Sequence, residues 1–334
     1  MFRRIIIMLA AILMCGSAAF AQDKEADSKY VVVAYVTSWS RVMPDPFVMT
    51  HINYAFGHVN DTFNGVRIDK PARLKSLVAL KEVNPKLKVM LSVGGWGSGR
   101  FSEMAADEQN RLSFANDCLR VVEEFGLDGI DIDWEYPTSS DAGISSSPQD
   151  RGNFNLLMRD LRTALGNDRL LTLASSAYAE YIDFHTCMPY LDFVNVMTYD
   201  MGTAPKHHSP LYSSENTKRS SDGAVKAHIK AGVPASQLVL GVPFYGRGGT
   251  VLPSFVDYKD VNTVDFVEMW DEKAQAPYIA DKDGNLVLGY DNPRSLTLKC
   301  NYIKENGLLG GMYWEYAGDK ENGELSKVLA KELL

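Results

Sequence analysis

Eight short apolar segments rich in β-branched residues recur along this chain of 334 residues, with helical patterns between most of them. Apolar segments that alternate with helices are typical of parallel strands buried on both faces. Eight such strands fit a single (β/α)8 barrel, the TIM barrel, better than two separate domains. The predicted strands are Tyr30–Val36, Ile52–Val59, Lys88–Val93, Gly129–Trp134, Leu170–Ser176, Phe193–Thr198, Leu238–Val242 and Gly310–Trp314.

The helices predicted between these strands are supported by their end signals. Gly126, Gly232 and Gly307 each follow a predicted helix, where glycine commonly ends the helical conformation. The predicted helices are Pro71–Val83, Glu108–Phe125, Asn153–Leu165, Asp222–Ala231, Ser295–Glu305 and Glu321–Leu333.

One segment after the seventh predicted strand breaks the alternation. Residues 248–288 show no helical pattern, and Asp283-Gly284-Asn285 within them suits a hairpin turn. We expect these residues to form a small insertion on the barrel, between the seventh strand and the last helices, rather than a separate domain.

The first 21 residues have the pattern of a secretory signal peptide, because two arginines precede an apolar run that ends in Ala19-Phe20-Ala21. We therefore expect a mature chain of residues 22–334 that forms the barrel and is secreted or periplasmic. Cys15 raises the alternative of a lipoprotein, but Met14 before it is larger than such signals usually carry. No other long apolar run occurs, so no transmembrane segment is predicted.

Charge and cysteine content narrow the function classes. The net charge of −8 and the absence of a basic run disfavour nucleic-acid binding. Cys118, Cys187 and Cys300 follow the predicted signal peptide, and an odd, scattered set is more typical of buried thiols than of a disulfide scaffold. Pairing of two of them stays open. They have no histidine at metal-ligand spacing, so we expect no metal site. We also expect no other cofactor. A monomer is the expected oligomeric state.

The fourth predicted strand carries an unusual number of acids in the stretch DGIDIDWEYP. Side chains alternate along a strand, so Asp131, Asp133 and Glu135 share one face, and the apolar residues between them share the other. In a barrel the acids would point inward, with Glu135 nearest the C-terminal mouth, where barrel active sites lie. Asp128 has the opposite parity and is expected to be architectural.

Three carboxylates stacked about 6–7 Å apart in a strand cannot all ionise at low cost. We expect a shared proton, coupled titration and a raised pKa at Glu135, which would suit a general acid. The spacing also resembles the start of a calcium loop, but Tyr136 stands where that loop needs Gly, and Ala142 where it needs Glu. The GWGSGR stretch after the third strand lacks the final Gly of a dinucleotide-binding loop.

The same acidic stretch resembles the signature of glycoside hydrolase family 18, the chitinase family, whose pattern is D-x-x-D-x-D-x-E. Four other segments are similar to family motifs on its third, sixth, seventh and eighth strands. They are SVGGWG (Ser92–Gly97), VMTYD (Val196–Asp200), GVPFYGR (Gly241–Arg247) and GGMYWEYAGD (Gly310–Asp319). The resemblance covers nearly the whole chain after residue 21 and implies a (β/α)8 barrel, in agreement with the strand count.

The resemblance implies hydrolysis of chitin or chito-oligosaccharides, which are β-1,4-linked N-acetylglucosamine chains, with retention of configuration. In this family the 2-acetamido oxygen of the sugar attacks its own anomeric carbon. The implied roles are general acid and base for Glu135, contact with the acetamide N–H for Asp133, a proton or hydrogen bond shared with Asp133 for Asp131, and acetamide alignment for Tyr199.

Further residues are expected to bind the sugar chain. Aromatic residues concentrate at or just past predicted strand ends, which favours a carbohydrate groove. The resemblance adds side chains of the later motifs. Together the expected substrate-binding residues are Tyr35, Phe56, Gly95, Trp96, Tyr136, Met197, Asp200, Tyr245, Arg247 and Trp314.

Two other functions stay open. An endo-β-N-acetylglucosaminidase acting on N-glycans would belong to the same family, although the WEYP and MTYD segments look more like chitinases. A non-catalytic chitin-binding lectin on this barrel typically lacks the last acid of the signature, which is present here as Glu135. The predicted insertion is shorter than in many chitinases with these motifs, which leaves exo versus endo action open.

Overall fold

The computed structural model describes residues 29–215, 217–261 and 264–334. The predicted signal peptide lies outside these residues. Within them the strands are β1 (Val31–Thr37), β2 (His51–Val59), β3 (Val66–Ile68), β4 (Lys88–Gly94), β5 (Gly129–Asp133), β6 (Leu170–Ser175), β7 (Phe193–Val196), β8 (Leu238–Pro243), β9 (Tyr245–Gly248), β10 (Val256–Asp257), β11 (Val267–Asp271), β12 (Ala276–Ala280), β13 (Leu286–Gly289) and β14 (Gly310–Trp314).

Eight parallel strands close into a barrel in the order β1-β14-β8-β7-β6-β5-β4-β2. Pairing of β1 with β2 completes the ring, in the register Val33 to His51 through Thr37 to Ala55. These are the eight predicted strands, so the (β/α)8 barrel is confirmed. The short β3 pairs antiparallel with β2 outside the ring.

The helices in the described part of the chain surround the barrel. They are α1 (Pro71–Val78), α2 (Phe101–Ala106), α3 (Glu108–Phe125), α4 (Asp150–Leu165), α5 (Phe184–Cys187), α6 (Ser221–Lys230), α7 (Pro293–Glu305) and α8 (Glu324–Leu333). Side chains fix several helix starts, since Asp107 accepts from the Asn110 N–H and Asn292 forms a capping box with Ser295. None of these helices is long and apolar enough to cross a membrane.

Two of the helices are additional to those predicted. The short α2 and the single-turn α5 have too few residues for a helical period to stand out. The helix predicted to reach Val83 ends at Val78 and continues as a 3₁₀ turn through Glu82. Residues 38–50, between β1 and β2, contain no helix.

The two faces of β5 separate as the alternation predicts. Ile130, Ile132 and Trp134 are buried in the apolar layer between the barrel and its helices. Trp134 stacks on Phe101 of α2, with ring centroids 5.3 Å apart. The acids at the alternate positions therefore face the barrel interior.

The segment after β8 forms a small antiparallel sheet in the order β10-β9-β13-β12-β11. Residues 281–285 join β12 to β13 as the predicted hairpin turn, and Gly284 adopts φ 83° there. The Asp281 carboxylate accepts the backbone N–H groups of Asp283 and Asn285 at 2.9 Å each. This sheet begins at Tyr245, so two expected cleft residues, Tyr245 and Arg247, belong to it.

Asp128 lies at the N-terminal entrance of β5, away from the mouth of the barrel. Its carboxylate accepts the Val89 N–H at 2.8 Å and pairs with Lys81 at 2.8 Å and Lys88 at 3.2 Å. The Asp128 side chain is 14% exposed. These contacts tie β5 to β4 and to the 3₁₀ turn after α1, in line with the expected architectural role.

We expect Asp128→Ala to lower the free energy of unfolding by about 1–3 kcal/mol, because the Val89 N–H loses a partly buried charged acceptor. Urea unfolding of the variant and the wild type measures this difference. Asp168→Ala serves as the control, since Asp168 is exposed. Equal stability of Asp128→Ala and the wild type would contradict the assigned role.

Candidate active site

A cleft of about 550 Å³ opens at the C-terminal end of the barrel strands. Twelve of the fourteen expected site residues line it. They are Tyr35, Phe56, Trp96, Asp133, Glu135, Tyr136, Met197, Tyr199, Asp200, Tyr245, Arg247 and Trp314. Asp131 and Gly95 lie behind this lining.

Asp131 is fully buried inside the barrel and accepts four hydrogen bonds. The Tyr35 hydroxyl and the Ser92 hydroxyl donate to Oδ2, both at 2.8 Å. The Thr172 hydroxyl at 2.7 Å and the Asn195 amide at 3.2 Å donate to Oδ1. Burial raises the pKa of Asp131, and the four donors oppose that rise. The donors come from four different strands, so the barrel itself holds this carboxyl group.

Asp133, the next inward residue of β5, has a different environment. Its Oδ1 atom is buried and has no hydrogen-bond partner. Burial, followed by the charges of Glu135 and Asp131, raises the pKa of Asp133 well above its usual range. Asp131, by contrast, accepts from four neutral donors, and the proton or hydrogen bond that it is expected to share with Asp133 stays a prediction. Asp133 therefore has an oxygen without a donor, whereas both oxygens of Asp131 have donors.

Glu135 lies at the mouth end of the line. Burial raises its pKa to about 7; a hydrogen bond with Tyr136 opposes this rise, and the charge of Asp200 adds to it. A carboxyl group with a pKa near neutrality can both donate and accept a proton at neutral pH. Glu135 thus has the protonation behaviour expected of a general acid and base.

Asp200 also lines the cleft, but its pKa is lowered rather than raised. Burial alone would raise its pKa, but hydrogen bonds from Arg247 and the proximity of the His208 ring hold the pKa well below its usual range. The Arg247 guanidinium donates through Nε and Nη2 at 2.6 Å each, and the Tyr245 hydroxyl donates at 2.8 Å. Such a bidentate pair fixes the orientation of the Asp200 carboxylate and stabilises its negative charge. Asp200 therefore stays ionised beside Glu135.

Tyr199 presents its hydroxyl to the cleft. Burial and the charge of Asp133 raise its pKa well above the usual range, so the hydroxyl stays protonated. It contacts the Met312 sulfur at 3.8 Å, and a thioether is a weak acceptor. The hydroxyl can therefore donate to a stronger acceptor on a ligand.

Aromatic rings cover much of the remaining lining. Trp314 stacks on Phe56 at 5.6 Å and lies 6.3 Å from Trp39, measured between ring centroids. Tyr136 stacks on Tyr181 at 4.7 Å. Trp39 and Trp96 keep 58% and 64% of their surface exposed. Flat apolar faces beside hydrogen-bonding groups match the two sides of a sugar ring.

Gly95 has a supporting position rather than a place in the lining. It adopts φ 94°, and an added Cβ would lie 2.5 Å from the Phe56 ring. A side chain there would displace Phe56 from its place under Trp314. The glycine is therefore needed for the shape of the cleft wall.

Some lining residues are absent from the sequence prediction. They are Ser176, Ala177, Glu180, Tyr181, Met201, Arg219 and Phe255. Trp39 also lines the cleft and belongs to the aromatic residues expected just past strand ends. Ser176, Ala177 and Met201 follow barrel strands, so the rule that strand ends form the mouth could have identified them. Arg219 and Phe255 lie far along the chain from the strand ends, and no local signal marks them.

Comparisons with known proteins agree with this geometry. The family model described as glycosyl hydrolases family 18 matches residues 31–319. The chain is 30% identical to Chitinase A1 of Niallia circulans, over 97% of this chain and 61% of that protein. It is 29% identical to an endochitinase of Manduca sexta, over 98% of this chain and 71% of that protein. The chain thus spans about three fifths of the length of Chitinase A1.

Two solved structures are also similar. A glycoside hydrolase family 18 N-acetylglucosaminidase from Paenibacillus barengoltzii has a TM-score of 0.83 and 36% identity, over 91% of this chain and 100% of that chain. Chitinase ChiA74 from Bacillus thuringiensis has a TM-score of 0.83 and 30% identity, over 91% of this chain and 70% of that chain.

The raised pKa of Glu135 makes stability depend on pH. The folded chain keeps this proton up to about pH 7, whereas the ordinary pKa is 4.5. The stability that the proton provides is present below pH 4.5 and is lost as the pH rises through 7. We expect Glu135→Gln to be more stable than the wild type near pH 8.5, with a free energy of unfolding up to about 3 kcal/mol higher. Near pH 4 the difference should be smaller.

Urea unfolding of both proteins at the two pH values measures this effect. Glu103→Gln is the control, because Glu103 is exposed and lies outside the cleft. The same difference between Glu135→Gln and the wild type at both pH values would show that the pKa of Glu135 is not raised by folding.

Proposed function

Because the chain belongs to glycoside hydrolase family 18, the chitinase family, we propose that it hydrolyses β-1,4-linked N-acetylglucosamine polymers or oligomers. The observation that carries the proposal is the inward line of Asp131, Asp133 and Glu135 below an aromatic cleft. Each of the three carboxyl groups has a different environment, and each environment suits a different task.

Glu135 begins the reaction as a general acid. With a pKa of about 7 it holds a proton near neutrality and transfers it to the oxygen that leaves the anomeric carbon. The bond between that carbon and the leaving oxygen then breaks, and Glu135 becomes a carboxylate.

The sugar supplies the nucleophile in this proposal. Its 2-acetamido oxygen bonds to the anomeric carbon and forms a positively charged oxazolinium ring. The unpartnered Oδ1 of Asp133 accepts the acetamide N–H, and the negative charge of Asp133 stabilises the ring. The Tyr199 hydroxyl donates to the acetamide oxygen and aligns it for attack.

Water completes the cycle. Glu135, now ionised, takes a proton from a water molecule whose oxygen attacks the anomeric carbon from the side that the leaving group vacated. The oxazolinium ring opens, the acetamide is restored, and the product keeps its original configuration. Asp133 holds a proton before the reaction, since burial raises its pKa well above the usual range. In this proposal the proton passes to the buried Asp131, whose pKa is also raised, as the positive ring forms, and the negative charge is then on Asp133.

The remaining lining residues are proposed to bind the sugar chain. Trp314, Phe56 and Tyr35 form one aromatic surface, and Tyr136 with Trp96 forms another. Met197 also lines the cleft. The Asp200–Arg247 pair and Tyr245 offer fixed polar groups to the sugar hydroxyls. On the N-terminal pattern of residues 1–21, we also propose that the chain acts outside the cytoplasm.

Release of single N-acetylglucosamine units is a second candidate. The observation that favours it is the 36% identity to the Paenibacillus barengoltzii N-acetylglucosaminidase, whose whole chain is covered. Both candidates use the same catalytic groups and differ in the length of the product.

Glu135→Gln keeps the shape of the side chain and removes its acid. We expect kcat/KM on chito-oligosaccharides to fall by about 10²–10⁴ or more. Binding should persist, as measured by fluorescence of the three cleft tryptophans. Asp168→Ala, which alters an exposed carboxylate, is the matched control for activity. Near-wild-type turnover by Glu135→Gln would refute the proposed role.

The acetamide nucleophile predicts which substrates are cut. We expect hydrolysis of fully acetylated chito-oligosaccharides, with products that initially keep the β configuration, and no cleavage where the scissile sugar is deacetylated. Chromatography of products from a ladder of oligomers separates the two candidates, since disaccharides indicate a chitinase and monomers indicate an N-acetylglucosaminidase. Efficient cleavage of deacetylated chitosan would contradict the mechanism, and activity confined to N-linked glycoproteins would favour the endo-β-N-acetylglucosaminidase alternative.

A further inference from the structure

A buried ion pair outside the barrel contacts the loop that follows β7. Lys299 of α7 and Asp291 before that helix have side chains that are 1% and 0% exposed. The Lys299 ammonium donates to Asp291 Oδ2 at 2.5 Å and to the carbonyl and hydroxyl oxygens of Ser209 at 2.7 Å each. All three ammonium protons therefore have acceptors, and two of these acceptors belong to the loop.

Ser209 relays this contact to the end of β7. Its hydroxyl accepts from Lys299 and donates to the Thr198 carbonyl at 2.7 Å. The Thr198 hydroxyl in turn donates to the Gly241 carbonyl on β8. The peptide that connects Thr198 to Tyr199 is thus fixed from the α7 side through a single hydroxyl group.

The backbone just beyond this peptide has a conformation that needs such support. Asp200 adopts φ 55°, a left-handed geometry that L-residues other than glycine rarely hold unless their surroundings impose it. The neighbouring His208 receives the Asp200 N–H at its Nδ1 atom at 3.4 Å, and its carbonyl receives the Met201 N–H at 3.0 Å. His208 is adjacent in sequence to Ser209, so the Lys299 contact and the Asp200 contacts lie on one short segment.

Stabilisation of the fold alone does not account well for the buried Lys299–Asp291 ion pair. Replacing a buried ion pair with apolar residues of similar volume is often neutral or stabilising, so burial of Lys299 does not by itself account for its presence. The pair instead fixes a position: two hydrogen bonds from Lys299 hold Ser209 relative to α7, and the bond to Asp291 orients the ammonium group.

We propose that Lys299 and Ser209 are positioning residues, which hold the Tyr199–Asp200 segment in the geometry that the cleft requires without touching the substrate. The catalytic part of this inference rests on the proposed function. Displacement of the segment would move both the Tyr199 hydroxyl and the Asp200 carboxylate. It would also disturb Tyr245 and Arg247, because both donate hydrogen bonds to Asp200.

Ser209→Ala tests the relay, since it leaves the Lys299–Asp291 pair intact and removes only the hydroxyl. We expect kcat on a chito-oligosaccharide to fall about tenfold while KM changes less than about twofold, because misalignment affects the transition state more than ground-state binding. Hydrogen exchange of the amides in residues 197–209, the Met201 N–H included, should accelerate.

Ser295→Ala is the matched control. Ser295 is fully buried, its hydroxyl donates to Asp291 Oδ1 at 2.7 Å and it accepts the Asn292 N–H at 2.9 Å in the helix cap. The variant therefore removes a hydroxyl from the other oxygen of the same carboxylate and from the cap, but none that bonds to the loop after β7. We expect a comparable drop in melting temperature, kcat within about twofold of the wild type and unchanged exchange in residues 197–209. Equal losses of kcat in the two variants would show that the Lys299–Asp291 pair only stabilises the fold, and would overturn the proposal.

If Ser209→Ala does not fold, Lys299→Met combined with Asp291→Asn removes both charges together and should give the same loss of kcat with unchanged KM. Hydrogen exchange needs no substrate, so the two proposals can fail separately. No hydrolysis by the wild-type chain would refute the proposed function. Unchanged exchange in residues 197–209 of Ser209→Ala would refute the positioning role, whatever the activity.

Discussion

Burial of a carboxyl group at the centre of the barrel is the constraint on which the site depends. Asp131 lies beyond the reach of water, and an uncompensated charge there would be strongly unfavourable. The compensation is four neutral donors, each from a different strand. Four strand positions are therefore committed to the polar interior, and the register of those strands is fixed by chemistry as well as by packing.

Each carboxyl group near Asp131 has different hydrogen-bond partners and therefore a different shift of its pKa. Asp131 has donors, Asp133 has an unpartnered oxygen, and Glu135 is desolvated near the mouth. Asp200 has a guanidinium and a hydroxyl, and its pKa moves in the opposite direction. Three acids in one line thus have raised pKa values, whereas Asp200 beside them stays ionised, and such a difference is what the proposed mechanism requires of its acid and its fixed carboxylate.

The sequence predicts the barrel well, because strand periodicity and helix ends are local properties. The alternation around Asp131, Asp133 and Glu135 likewise predicts that the acids face inward, since side-chain parity follows directly from residue order. The partners of Asp131 are harder to foresee, since Thr172 and Asn195 are ordinary polar residues until the strands come together. The role of Lys299 is equally hidden, because a lysine in a helical pattern is normally exposed. Arg219 and Phe255 reach the cleft only through loop geometry.

The sheet that follows β8 shares its first strand with the cleft. Tyr245 and Arg247 of β9 contact Asp200, while the far edge of the same sheet is β11 and the turn at residues 282–285 is exposed. A change of length at residues 282–285 would leave the contacts of β9 with Asp200 in place, whereas a change within β9 would not. Relatives with larger insertions should differ at the distal strands, and a chimaera that exchanges the appendage would have to keep the host β9.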